Sequence, residues 1–163
     1  MGSSVHSPRL GPLLVTIAIC VLFALFGNAL IGDSLGDWYG ALDKPWFLVP
    51  PWAFYVVGAV YYLLFATVLY RILTRVDDRK GRVTSLVLTI SVLPLNKLWN
   101  YLFFGLESTL AGFLGIAVFL VLLTALLFTL RVYERCSAGL VAAYCMWVLY
   151  DLAWTFALWR LNS

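Results

Sequence analysis

Charge is what this chain has least of. Only 12% of its 163 residues are Asp, Glu, Lys or Arg, while 63% are hydrophobic, and a soluble domain of this length carries about twice that charge fraction. Histidine is nearly absent too: His6 stands alone in the N-terminal tail. The cysteines, Cys20, Cys136 and Cys145, show neither disulfide nor metal spacing. There is no H-E-x-x-H, no phosphate-cradling glycine loop and no nucleophile, base and orienter set. These absences argue against metal-dependent and conventional hydrolytic chemistry.

Long uncharged runs fill the space. Five blocks approach or exceed the ~20 apolar residues that a helix needs to cross a bilayer core: 11–32, 50–71, 83–105, 110–131 and 139–161. They are continuous and leucine-rich, whereas a transmembrane barrel shows alternation in segments of ~10 residues. The expected fold is an all-α integral membrane protein, one domain of five transmembrane helices over 1–163. The first block lacks a preceding basic segment and a following A-x-A-like cleavage site, so it is expected to stay as a membrane anchor.

The loops predict an orientation. Arg9, Arg71, Arg75, Arg79, Lys80, Arg82, Arg131 and Arg135 share one side, and Lys44 and Arg160 are the basic residues of the other. The positive-inside rule then places the N-terminus in the cytoplasm and the C-terminus outside. The formal charge of +3 reflects that topology and is no argument for nucleic acid. The segment 74–81 reads as a solvated charge cluster, and the short 106–109 loop predicts antiparallel neighbours in the third and fourth helices. Ala111 and Gly115 form a small-xxx-small pair suited to close helix approach or a dimer contact.

Polar groups inside these helices are the candidates for a site, because lipid tails leave them without hydrogen bonds. Asn96, Trp99, Asn100 and Phe103 recur at i, i+3, i+4 and i+7 and share a face of the third helix. That face suits either helix–helix bonding or ligand binding. Lys97 is expected to point elsewhere and snorkel toward the outer interface. Tyr144, Trp147, Asp151 and Trp154 make a similar stripe on the fifth helix. Asp151 requires a partner or a cavity, with Asn96, Asn100, Asn28 and Lys97 as candidate partners. The loop 33–49 is too long and too aromatic for a plain turn. Trp38, Tyr39, Leu42 and Trp46 fall at helical spacing before or beside Pro45, which fits either an interfacial aromatic belt or a lid over the bundle.

These motifs resemble the translocator protein family, also called the tryptophan-rich sensory proteins (TspO) or peripheral benzodiazepine receptors. The loop carries W-Y-x-x-L-x-K-P at Trp38, Tyr39, Leu42, Lys44 and Pro45, followed by Pro50, Trp52 and Phe54 in register. The third helix carries L-N-x-x-W-x-x-x-F-F at Leu95, Asn96, Trp99, Phe103 and Phe104. The fifth carries Y-x-x-W at Tyr144 and Trp147, and the chain closes on Leu161 and Asn162. Several positions depart from the pattern. Gly58 stands where the family has a tryptophan, Ala143 for a proline, Asp151 for a small residue, Thr155 for an asparagine and Phe156 for a tyrosine.

The resemblance implies a five-helix bundle, commonly a homodimer. Its pocket opens toward the first loop and takes porphyrin or another tetrapyrrole, a sterol or a drug-like aromatic, with no cofactor required. By position, Trp38, Tyr39 and Trp52 would lie on the lid side, Asn96, Trp99, Asn100 and Phe103 on the third-helix wall, and Tyr144, Trp147 and Asp151 on the fifth. It implies a bacterial cytoplasmic membrane, or the mitochondrial outer membrane in a eukaryote. The leading expectation is a binding or sensory protein. Two alternatives stand beside it: light-dependent porphyrin degradation assisted by tryptophan, and proton-coupled transport using Asp151.

Overall fold

The computed structural model describes residues 10–29 and 37–163. Its elements, all helical, are α1 (Leu10–Ala29), α2 (Trp38–Ala41), α3 (Pro51–Arg75), α4 (Arg79–Asn100) running into a π-helical turn (Tyr101–Gly105), α5 (Thr109–Tyr133) and α6 (Arg135–Leu161). The chain is an all-α membrane protein. Four helices are long and apolar enough to span a bilayer, with mean hydropathy between 1.2 and 2.8, and α1 is a shorter apolar helix. α5 packs between α4 and α6, as the short 106–109 turn predicts, while α3 touches α1, α4 and α6.

The outward faces are apolar: Leu14, Leu22 and Leu25 on α1, Val118, Val121 and Phe128 on α5. Exposed apolar surface on this scale has a favourable environment only in lipid. Several threonine hydroxyls inside the spans bond the backbone of their own helix. Thr67 donates to Leu63 O at 2.8 Å, Thr89 to Ser85 O at 2.7 Å and Thr124 to Leu120 O at 2.8 Å. This is how a helix keeps hydroxyls in an apolar medium.

Two helix starts differ from the sequence expectation, and capping explains both. α4 begins at Arg79, because Asp78 accepts a 2.6 Å hydrogen bond from Gly81 N and so closes the first turn. The expected solvated cluster is therefore cut to three residues, 76–78. Arg82 folds back onto Val76 O at 2.8 Å. α6 begins at Arg135, because Glu134 accepts from Ser137 N at 2.7 Å. The same carboxylate takes two hydrogen bonds from Arg71, at 3.0 and 2.8 Å, which ties α3 to the α5–α6 corner. Those bonds hold the Glu134 carboxyl well below its usual value, at about 2.

The small-xxx-small pair resolves as contact within the chain. A side chain at Gly115 would press on Leu102 and Trp99, at 3.1 and 3.2 Å, so this glycine lets α4 approach α5. Gly112 does the same for Phe103, whose ring occupies the space a methyl group there would need.

Candidate functional site: a membrane-embedded aromatic cavity

A cavity of about 870 Å³ lies among α3, α4, α6 and the first loop. That is within the 300–1,000 Å³ typical of small-molecule sites. Tyr61, Tyr62 and Tyr144 form its deep end. Tyr61 sits 5.0 Å from Tyr62 and 5.4 Å from Tyr144, centroid to centroid, and its hydroxyl donates to Val92 O at 3.4 Å.

Four side chains of α4 give one wall: Asn96, Lys97, Trp99 and Asn100. The Trp99 indole N–H donates to Gly112 O at 2.9 Å, and its ring stacks on Phe103 at 5.6 Å with a 4° interplanar angle. Trp99 is thus pinned by α5 and presents one edge to the cavity. The amides of Asn96 and Asn100 bridge to no other helix among the described residues, and both line the cavity. The face divides between the two settings: Trp99 bonds α5 and Phe103 is buried in packing, while Asn96 and Asn100 line the cavity.

Lys97 corrects the sequence expectation. It does not snorkel: it is 7% exposed, lines the cavity, and its Nζ lies 5.1 Å from the centre of the Tyr62 ring. The nearest polar space for its short reach is the cavity beside it, and the Tyr62 face offers a cation–π contact there. Phe103 is the second correction. It is fully buried between Trp99, Trp38 and Trp154, away from the cavity, and Phe104 lines the wall in its place. The π turn is the reason: Leu106 N bonds Tyr101 O at 2.9 Å, which inserts a residue and shifts the face that 3.6-residue spacing predicts.

The α6 wall holds Tyr144, Trp147, Asp151 and Trp154. Asp151 bonds none of Asn96, Asn100 and Lys97, and the fourth partner proposed from sequence, Asn28, lies outside the described side chains. Instead Asp151 Oδ1 accepts from the Trp154 indole N–H at 2.8 Å, one turn along its own helix. Trp154 was visible in the α6 stripe, yet its contribution here could not be separated from packing by spacing alone.

The first loop closes the outer end. Tyr39, Lys44, Pro45, Leu48 and Val49 line the cavity. Tyr150 OH accepts from Val49 N at 2.8 Å and donates to Phe47 O at 3.3 Å. Asn162 accepts from Asp43 N at 3.0 Å and donates to Asp43 O at 2.9 Å. Burial, with Tyr150 nearby, pushes the Tyr39 phenol up to about 12, so it stays a neutral hydrogen-bonding ring. The expected amphipathic helix shrinks to Trp38–Ala41. Trp38 packs edge-on against Phe103 at 5.3 Å and does not line the cavity, and Trp46 is 94% exposed. Trp52 also faces outward, at 65% exposure. Both outward indoles suit the headgroup layer rather than the site. Residues 33–36 lie outside the described residues.

The profile of the TspO/MBR family matches residues 16–160. The chain belongs to that family. It is 31% identical over 152 residues to the tryptophan-rich protein TspO of Archaeoglobus fulgidus, covering 93% of this chain and 97% of that protein. It is 28% identical over 129 residues to protein CrtK of Rhodobacter capsulatus, covering 79% and 81%. The match to a tryptophan-rich sensory protein of Cereibacter sphaeroides is 26% over 149 residues, covering 91% and 90%. This TspO/MBR protein thus has an aromatic-lined cavity that also holds two charges from its spans, Lys97 and Asp151.

Proposed function

We propose that this protein is a membrane receptor or sensor that binds a flat amphipathic molecule, a tetrapyrrole, sterol or drug-like aromatic, in the cavity under the first loop. The observation that carries the reading is the lining itself: tyrosine and tryptophan rings on every side, with only a few polar groups directed inward. Rings supply apolar area and stacking, and the few polar atoms fix orientation. The binding set is Tyr39, Asn96, Trp99, Asn100, Tyr144, Trp147 and Asp151, joined by Tyr61, Tyr62, Lys97, Phe104 and Trp154. Trp38 and Phe103 support the wall from behind. The charge pattern of the loops supports a cytoplasmic N-terminus, and a homodimer is the expected assembly.

The test is a titration of the protein in nanodiscs with protoporphyrin, read by tryptophan quenching. Saturable binding that weakens about tenfold in Trp147→Ala is expected, a loss of about 1.4 kcal/mol of ring contact. Absence of saturable quenching by protoporphyrin, a sterol and an aromatic drug alike would reject the reading.

Three indoles on the lining, Trp99, Trp147 and Trp154, favour a second reading, photo-oxidative porphyrin breakdown. Illumination of bound protoporphyrin under oxygen should then bleach its absorbance at a rate that Trp147→Phe abolishes. Bleaching that is indifferent to every indole excludes it.

A further inference from the structure

Lys97 and Asp151 are the two formal charges of the spans that face the cavity, and they do not face each other. Each is at least nine-tenths buried, at 7% and 8% exposure, and both line the cavity from different walls, α4 and α6. Among the described residues the ion pair is Arg71–Glu134, far toward the opposite ends of the helices; Lys97 and Asp151 form none. Lys97 Nζ touches the Tyr62 ring and has neither a hydrogen-bond acceptor nor a carboxylate among the described residues. Asp151 accepts from the Trp154 indole at 2.8 Å and is also held by the Trp147 indole, which leaves carboxylate lone pairs for a further donor from the cavity. Lys97 Nζ is not sealed in protein without a partner, as the Ser85 and Ser137 hydroxyls are, and both Lys97 and Asp151 border the cavity.

Both lie well inside their spans. Lys97 lies eight residues before the end of its span at Gly105, and Asp151 ten before the end of α6 at Leu161. At 1.5 Å per residue these are depths of about 12 and 15 Å. A cation and an anion therefore stand about two to three turns below the ends of their spans, on separate walls of the cavity. A buried charge without a partner is costly, so such a pair points to a ligand that completes both.

Resting on the ligand-cavity reading above, we propose that this chain selects a dipolar aromatic ligand, one that presents a carboxylate to Lys97 and an N–H donor to Asp151. A purely anionic ligand gains at Lys97 but is repelled at Asp151, and a purely cationic one meets the reverse.

Three xanthene dyes of one shape test this: fluorescein (anionic), rhodamine 123 (a cationic methyl ester) and rhodamine 110 (a carboxylate together with amino N–H donors). Binding to protein in nanodiscs is read by fluorescence anisotropy, with protoporphyrin as a reference ligand. Rhodamine 110 is expected to bind about tenfold tighter than either relative, the scale of one charge-assisted hydrogen bond. Lys97→Met should erase its advantage over rhodamine 123, and Lys97→Arg should keep it. Asp151→Asn should erase its advantage over fluorescein. An unchanged melting temperature of each variant in nanodiscs shows that its fold is intact. Equal affinity for the three dyes, a ranking that neither variant changes, or protoporphyrin binding with no dye binding at all overturns the dipolar assignment while leaving the cavity reading in place. Failure of the wild type to bind any of the four overturns both.

Discussion

The reciprocal pair between Asn162 and Asp43 ties the first loop to the end of α6, and Asn162→Ala should loosen it. In the native chain the Asn162 amide accepts from Asp43 N at 3.0 Å and donates to Asp43 O at 2.9 Å, while the same Nδ2 donates to Leu158 O at 2.8 Å. The third bond orients the amide, and the first two hold the loop. Each is worth about 0.5–1.5 kcal/mol net, and the exposure of this corner argues for the lower half of that range. Loss of both should shift the closed–open equilibrium by about 1–2 kcal/mol, or roughly 5- to 30-fold. The remaining anchors, Tyr150 to Val49 and Phe47 and the Trp38–Phe103 contact, should keep the loop folded over the cavity most of the time. Ligand affinity should therefore fall little, whereas ligand release should accelerate by that factor. Stopped-flow displacement of bound protoporphyrin measures the release rate, and hydrogen exchange at 43–49 measures the opening. Faster exchange with an unchanged release rate would mean that ligand leaves by another route, and the lid assignment would be wrong. Unchanged exchange would show that the pair contributes nothing to closure.

Two glycines should respond in opposite senses to one added methyl group. Gly58→Ala meets nothing within 4 Å and should raise thermal stability in detergent, since glycine costs a helix about 0.5–1 kcal/mol relative to alanine. Gly112→Ala should lower stability by about 1–3 kcal/mol, because it displaces Phe103 and with it the Trp99 stack; equal melting shifts for the two would refute the packing described. Acid should act through Glu134. Its folded pKa, about 2, is depressed from 4.5 by the Arg71 hydrogen bonds, so its contribution is complete above pH 4.5 and fades as pH falls toward 2. Melting temperatures between pH 2 and 6 should slope less in Glu134→Gln than in the native chain; parallel curves would remove Glu134 from the account. Tyr150→Phe leaves Val49 N without its acceptor and should cost about 1–3 kcal/mol, visible as faster exchange confined to 47–49 if the loop moves alone.

Much of the fold was legible because lipid imposes strict requirements on sequence. Blocks of ~20 apolar residues give spans, and Asp78, Ser108 and Glu134 are ordinary capping residues whose side chains here accept from backbone N–H groups. The two helix starts that were read late, at Arg79 and Arg135, fell where charge hides a helix from hydropathy although the caps were present. The site was legible wherever spacing stayed helical, as at Tyr144, Trp147 and Asp151. It was lost where one residue was inserted: the π turn at Tyr101–Gly105 moves Phe103 off the wall. Tyr61 and Tyr62 were opaque for another reason. A tyrosine in a membrane helix reads equally as packing or lining, and only the placement of α6 against α3 decides it.

Polar groups in this bundle separate into two kinds, and the separation itself locates the site. Hydroxyls such as Thr89 and Thr124 are satisfied within one turn of their own helix. They require nothing from neighbouring helices, and nothing functional follows from them. Asn96, Lys97, Asn100 and Asp151 carry groups too large or too strongly solvated for that solution, and they converge on one cavity instead of scattering among the helix contacts. Had their role been to bond helices together, amide-to-helix bonds across the α3–α4 and α3–α6 contacts would be expected; the cross-helix bond made from this wall is the Trp99 indole on Gly112. Asparagine amides and a lysine ammonium lining a cavity without spending their hydrogen bonds on the protein is the arrangement expected when a ligand or water is to receive them. The aromatic frame can be shared across the TspO/MBR family; on the dipolar proposal Lys97 and Asp151 would change what that frame prefers, and ligand specificity in this member should follow those two residues more closely than the tryptophans around them.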